Sequence, residues 1–139
     1  MIPFHLAIPV DDLAAARAFY GELLGFPEGR SAERWIDFDL RGHQLSVHLC
    51  EASGEGGTNE VDGDAVPVRH FGLVLPWEEW TRLGAALSDA GVTFLIPPRV
   101  RFAGQAGEQG TFFIRDPAGN ALEMKSFRDP SRLFARDEK

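Results

Sequence analysis

One cysteine, Cys50, is all that the sequence holds, so an intrachain disulfide is excluded, which fits a reducing compartment. Outside any metal or nucleophile pattern, a lone cysteine is expected to serve as a small buried hydrophobe. Long apolar runs are missing too. No stretch approaches the roughly 20 residues needed to span a bilayer, and no basic N-terminal region leads into an apolar one, so the expected compartment is the cytoplasm and no membrane partner is expected. Positive charge is scarce: 14 Lys and Arg against 21 Asp and Glu give a formal net charge of −7. With no basic stripe to track phosphates, nucleic acid and anionic membrane surfaces are excluded as partners, leaving small molecules and other proteins.

What is present suffices for one core. A chain of 139 residues, 44% hydrophobic, fits a single domain that can carry an internal duplication. Phe4, Leu6 and Ile8 alternate with His5 and Ala7, which predicts a half-buried strand. Asp11 or Asp12 then offers an N-cap for a helix with Leu13, Ala16, Tyr20, Leu23 and Leu24 on one side and Gly25 as its stop. After a polar turn, Ile36, Phe38 and Leu40 alternate with Trp35, Asp37 and Asp39. Arg41-Gly42 then turns the chain into Gln44 to Cys50, a predicted hairpin.

Ser53 to Asp64 is rich in glycine and acidic residues and reads as a mobile polar connection. Beyond it the same order recurs. His70 opens a strand with Phe71, Leu73 and Leu75 on its apolar face, and a helix from about Trp77 carries Trp80, Leu83 and Leu87 to Gly91. Strands follow near Val92 to Ile96, Thr111 to Arg115 and Ala121 to Phe127, the last two joined by Asp116-Pro117-Ala118-Gly119-Asn120. The order is strand, helix, three strands, twice. His5 and His70 open the first strand of each half, 65 residues apart.

The faces opposite the apolar ones collect the chemistry: His5; Trp35, Asp37 and Asp39; Gln44, Ser46 and His48; His70; Glu123 and Lys125. If the apolar faces pack on the helices, these polar faces line a concave surface suited to a small ligand. Two imidazoles and a carboxylate with open positions suit iron(II), manganese, nickel or zinc. Singly, each has a plainer reading: His5 and His70 as hydrogen-bonded strand histidines, Glu123 as a solvated edge carboxylate.

The opening Phe4-His5-Leu6-Ala7-Ile8-Pro9-Val10-Asp11-Asp12-Leu13, with Ala18-Phe19-Tyr20 and Leu23-Leu24-Gly25-Phe26, resembles glyoxalase, bleomycin-resistance and extradiol-dioxygenase proteins of the vicinal oxygen chelate superfamily. Thr111 to Glu123, with its Asp-Pro-x-Gly-Asn-x-x-Glu pattern, resembles that superfamily's last module, in which the glutamate is the final metal ligand. The resemblance implies an α+β fold of two βαβββ modules forming a cup-shaped mixed sheet with helices outside. Its bounds are module one over about 1–52, a connection over 53–66, module two over 67–128 and a tail over 129–139. It also implies His5, His70 and Glu123 as metal ligands and a homodimer in which modules of different subunits complete each site.

His48 departs from the pattern, because glyoxalase-like members often place a glutamate ligand near that position, with Ser46 the alternative alignment. A fourth ligand, a general acid or base and a core histidine all stay open for His48. His43 is expected in a solvent-exposed turn. Trp35, Ser46, Arg101 and Gln109 are candidate substrate contacts. The last two belong to a glycine-bearing stretch with Gln105 and Glu108 that can close over a ligand or simply be solvated. The two-histidine, one-carboxylate set favours dioxygenase-like chemistry with iron(II), with nickel, zinc or manganese as other fits. Against it, extradiol enzymes are larger and use a tyrosine near the metal, whereas the single tyrosine here, Tyr20, is on a helix. A glyoxalase-type lyase or isomerase and a metal-free, bleomycin-type binding protein are the alternatives.

Overall fold

A computed structural model describes residues 1–51 and 57–136. The chain divides into two compact units, Met1–Glu55 with Asp116–Asn120, and Gly56–Arg115 with Ala121–Lys139. The element order is that of two βαβββ modules with a short hairpin added between them.

In the first unit, β1 (His5–Val10) leads into helix α1 (Leu13–Ala16), which continues without a break as a π-helical stretch over Arg17–Leu23. Of the two candidate caps, Asp12 takes the role: its carboxylate accepts the Ala15 N–H at 3.0 Å. The widened turns bury Phe19 beside Tyr20, whose rings meet edge to face. Gly25, at φ 75°, follows the helix end as the sequence suggests. Strands β2 (Glu28–Ala32), β3 (Trp35–Leu40) and β4 (His43–Leu49) complete a sheet in the order β1-β4-β3-β2, with β1 parallel to β4 and the rest antiparallel. Ile8, Val10, Ile36, Phe38, Leu40, Leu45 and Val47 form its buried face.

The second unit opens with a hairpin, β5 (Thr58–Val61) and β6 (Asp64–Pro67), followed by β7 (Phe71–Val74) and helix α2 (Trp77–Asp89). Strands β8 (Ile96–Arg101), β9 (Gln109–Arg115) and β10 (Ala121–Phe127) give the sheet order β7-β10-β9-β8. Helix α2 lies against β9 and β10. There Trp80 donates its indole N–H to the Met124 carbonyl at 3.0 Å and stacks on Phe112. A 3₁₀ turn over Pro130–Arg132 follows β10. Among the described residues no helix is long and apolar enough to cross a membrane.

Five expectations need correction. Phe4 is not on a buried face: it precedes β1 and is 64% exposed. Cys50 is exposed rather than buried, because β4 ends at Leu49; its N–H donates to the Val10 carbonyl and its thiol to the Glu51 carbonyl. His43 starts β4 and is half-buried, its Nδ1 accepting the Phe4 N–H at 2.8 Å. The strand expected near Val92 starts later, because Val92 N–H still closes the end of α2 on the Leu87 carbonyl. The supposed polar connection is, over 58–66, the hairpin β5–β6. Residues 53–56 of that connection lie outside the described residues.

Candidate functional site

In the second unit, β10 alternates Leu122 and Met124, both fully buried, with Glu123 and Lys125 on the other face. Parallel β7 supplies Gly72 directly opposite Glu123, and His70 stands two residues before it. The imidazole Nε2 of His70 is 3.5 Å from Glu123 Oε1, with 30% and 13% of the two side chains exposed. The other carboxylate oxygen accepts the Thr111 hydroxyl at 2.5 Å from β9. Phe113, also from β9, sets its ring edge to face with the imidazole at 5.1 Å.

The far side of the imidazole is tied as well: His70 Nδ1 is 2.6 Å from the Pro67 carbonyl. A carbonyl oxygen can only accept, so Nδ1 carries the hydrogen, and in the neutral ring Nε2 presents a lone pair to Glu123. Two acceptors then face one another, an arrangement that calls for a cation between them. A proton on Nε2 can meet the same demand. The Glu123 hydrogen bond raises the His70 pKa above its ordinary value, against burial, which lowers it, and with help from the Pro67 carbonyl. Burial alone would push the Glu123 carboxyl up, but the His70 and Thr111 hydrogen bonds and nearby Lys125 hold it below the usual carboxylate range. A divalent ion can take the proton's place, since two ligand atoms bound at about 2.0–2.1 Å to one ion lie roughly 3–3.5 Å apart. The pair fits two donors of a metal site. Among the described residues no group of three or more His, Cys, Asp or Glu side chains gathers to hold one.

His5 belongs to the first unit, exposed on β1 in a register row with Gln44 and Asp39. The next rows are Ala7, Ser46 and Asp37, then Pro9, His48 and Trp35, so the polar face read from alternation is present there. Ser46 is buried and donates to Asp37, which also accepts from Gln44. Trp35 is half-buried with the Arg30 guanidinium 5.6 Å above its ring, and His48 is exposed. A hollow of about 380 Å³ on this unit is lined by Pro3, Arg30, Asp37, Asp39 and Gln44 among others, with neither His48 nor Trp35 in its wall. Arg101 and Gln109 are not loop residues: they end β8 and begin β9, opposite one another. Only 4% of the Arg101 side chain is exposed, and its guanidinium pairs with Asp64 and donates to the Val61 carbonyl. Gln109 is half-buried and donates to the Gly107 carbonyl. Thr111 and Pro67, which sequence reasoning passed over, hold the ligand pair. Thr111 lies on β9, buried from Gly110 to Ile114, where no alternation marks it, and a backbone carbonyl leaves no sequence signal.

The family model for the Glyoxalase/Bleomycin resistance protein/Dioxygenase superfamily matches residues 2–124. The chain belongs to this superfamily. Among solved structures, a glyoxalase/bleomycin resistance protein/dioxygenase from Alicyclobacillus acidocaldarius is 33% identical, with a TM-score of 0.79 over 96% of both chains. A glyoxalase family protein from Enterococcus faecalis is 25% identical (TM-score 0.65, 89% of this chain and 96% of that one). Lactoylglutathione lyase from Agrobacterium tumefaciens, at 20% identity, shares the fold (TM-score 0.67, 90% and 92%). No curated protein matches the chain. Membership allows glyoxalase, dioxygenase and binding activities alike, so the reaction has to be argued from this member's own residues.

Proposed function

We propose that this superfamily member is a metal-dependent enzyme acting on a small substrate held through two neighbouring oxygens, with dioxygenase-like chemistry. The supporting observation is the facing pair: the Pro67 carbonyl commits His70 Nδ1 to donating, so Nε2 and the Glu123 carboxylate present two lone pairs to one point. His70 and Glu123 are the ligands in this reading. His5, the third residue of the set implied by resemblance, is tested separately. A divalent ion, iron(II) by preference and otherwise nickel, zinc or manganese, supplies Lewis acidity to both substrate oxygens when bound.

The chain's own residues do the rest. Thr111 donates to Glu123 Oε2, which fixes the carboxylate rotamer and leaves Oε1 directed at His70. Phe113 and the Pro67 carbonyl fix the imidazole plane. Lys125 adds positive charge on the same face, favouring a substrate that turns anionic when its neighbouring oxygens lose protons. His48, exposed on β4, serves in this reading as general acid or base. The assembly is read as a homodimer, to be checked by light scattering.

The decisive experiment is metal content after purification without chelator, with anaerobic iron(II), nickel and zinc reconstitution of wild type, His5→Ala, His70→Ala and Glu123→Gln. Near-stoichiometric binding lost in His70→Ala and Glu123→Gln supports the reading; binding retained in both refutes it. Oxygen uptake by the iron form marks the dioxygenase. Turnover of a hemithioacetal without oxygen uptake moves the protein to the glyoxalase-type lyases and isomerases. Failure to bind any of these metals makes it a bleomycin-type binding protein.

A further inference from the structure

The hairpin that interrupts the two modules is fastened to β8 by charge. Arg99 reaches Asp62 at 2.8 Å and Asp64 at 3.1 Å, both pairs partly exposed. Arg101 is different in kind. Its guanidinium is nearly sealed, 2.9 Å from Asp64 and donating to the Val61 carbonyl at 2.5 Å, so one side chain grips both strands of the hairpin. On the same segment Val66 packs with Ile96 and Phe113. The next residue is Pro67, whose carbonyl binds His70 Nδ1. Proline has no N–H, so this last position of β6 gives the hairpin no donor of its own, and its carbonyl is directed by how β6 is held.

From this geometry we infer that Arg101 and Asp64 are positioning residues for His70: by clamping the β5–β6 hairpin on β8, they hold the Pro67 carbonyl where it imposes the Nδ1–H tautomer and leaves Nε2 facing Glu123. A buried guanidinium held by a carboxylate and a carbonyl has few other stable arrangements, because any slip of the hairpin strands its charge away from water. The hairpin is therefore set in one place. The Pro67 carbonyl is the group one step behind the ligand, and loss of such a partner typically changes metal affinity about 10–100-fold; Arg101 and Asp64 act on it through the hairpin. The inference rests on His70 acting as a ligand only for its functional meaning; the clamp itself can be measured without metal.

The test uses the full-length, metal-free, ¹⁵N-labelled protein at a pH alkaline enough to leave the imidazole neutral. Ring nitrogen shifts of His70 are read by long-range ¹H–¹⁵N correlation and assigned by their loss in His70→Gln. Wild type is expected to show a protonated Nδ1 and a lone-pair Nε2. Arg101→Met is expected to move both nitrogens to averaged values, with loss of amide-exchange protection in β5 and β6 while β9 and β10 stay protected. If Arg101→Met does not fold, Arg101→Lys, which keeps the charge beside Asp64 but loses the second arm to Val61, should move the same shifts part of the way. Asp62→Asn, which removes only the exposed pair, should leave them in place. An Nε2–H tautomer in wild type, an unmoved tautomer in the folded Arg101 variant, or an equal shift in Asp62→Asn overturns the inference. Zinc titration of the same variants should show a roughly 10–100-fold loss for Arg101→Met. Failure of wild type to bind zinc, nickel or iron(II) would sink the proposed function and leave the tautomer result standing.

Discussion

Gly72 is the residue that lets β7 run against β10 at the candidate site, and Gly72→Ala tests how tightly that approach is drawn. The two residues are register partners, and a Cβ built on Gly72 overlaps the carbonyl of Glu123 and comes within 2.6 Å of its carbonyl carbon. The atoms in the way are backbone inside a ladder, not the end of a side chain that can swing aside. Relief requires β7, an edge strand, to pull away from β10. Loss of about two neighbouring ladder hydrogen bonds at about 1 kcal/mol each, with overpacking strain of about 1–3 kcal/mol, gives a destabilisation of roughly 3–5 kcal/mol. For a chain of this size that corresponds to a Tm lower by roughly 10–20 °C. Urea and thermal unfolding followed by circular dichroism read the stability. A zinc titration reads the site, because the displaced backbone is that of Glu123 itself. Gly72→Ala within about 0.5 kcal/mol of wild type, the range of ordinary surface substitutions, would refute the reasoning.

Two further predictions follow from buried polar contacts. Tyr20 is fully buried and donates to Asp116 at 2.7 Å; burial first and then the Asp116 charge push its phenol pKa well above the ordinary value of 10.0. A folded pKa raised above the unfolded one stabilises below the unfolded pKa and is lost as pH rises past it. Ultraviolet difference absorbance of this single tyrosine should therefore report ionisation only together with loss of the circular dichroism signal, and ionisation near pH 10 in the folded protein would contradict the assignment. Trp80 fills the space above Gly110, whose added Cβ would sit 2.7–2.8 Å from the indole ring. Gly110→Ala and Trp80→Phe should each cost about 1–3 kcal/mol in urea unfolding but combine to clearly less than their sum, since the smaller ring vacates the space; strict additivity would show that the ring does not press on Gly110.

The elements legible in the sequence are those with one buried face. In β1, β3, β4, β7 and β10 apolar side chains alternate because helix or core lies on one side only, and that same alternation puts Glu123 on the site's face, whereas β9, buried from Gly110 to Ile114, gives Thr111 no such signal. Strands β2 and β5 are exposed at every position, so their side chains carry no period at all; backbone pairing alone makes them strands. β8 hid for another reason. It contains Pro97 and Pro98, which cannot donate to a ladder, and it tolerates them as an edge strand with a register shift between Ile96 and Arg99. The role of Arg101 was misread with it: once β5 and β6 are taken for a polar connection, a charged residue nearby has nothing to bind except a ligand. Asp64, the partner that holds it, ends the stretch that reads from sequence as a mobile polar connection.

The Asp-Pro-x-Gly-Asn signature, read as the delivery of a metal ligand, works through register. Asp116 touches no candidate ligand. Its carboxylate accepts the Ala118 and Asn120 N–H groups on one oxygen, and the Asn120 side-chain amide and the Tyr20 hydroxyl on the other, while Gly119 takes the φ of 93° that the turn needs. Asn120 also reaches the Pro9 carbonyl at 2.8 Å. The bonds within the turn specify where β9 ends and β10 begins, at Ala121, and those to Tyr20 and Pro9 anchor it. In a strand the side-chain period is two, so a slip of one residue would send Glu123 into the core and turn Leu122 or Met124 towards His70. A carboxylate three residues beyond the turn can be a ligand only if the turn has one length, and a buried aspartate satisfied by four donors leaves it only one.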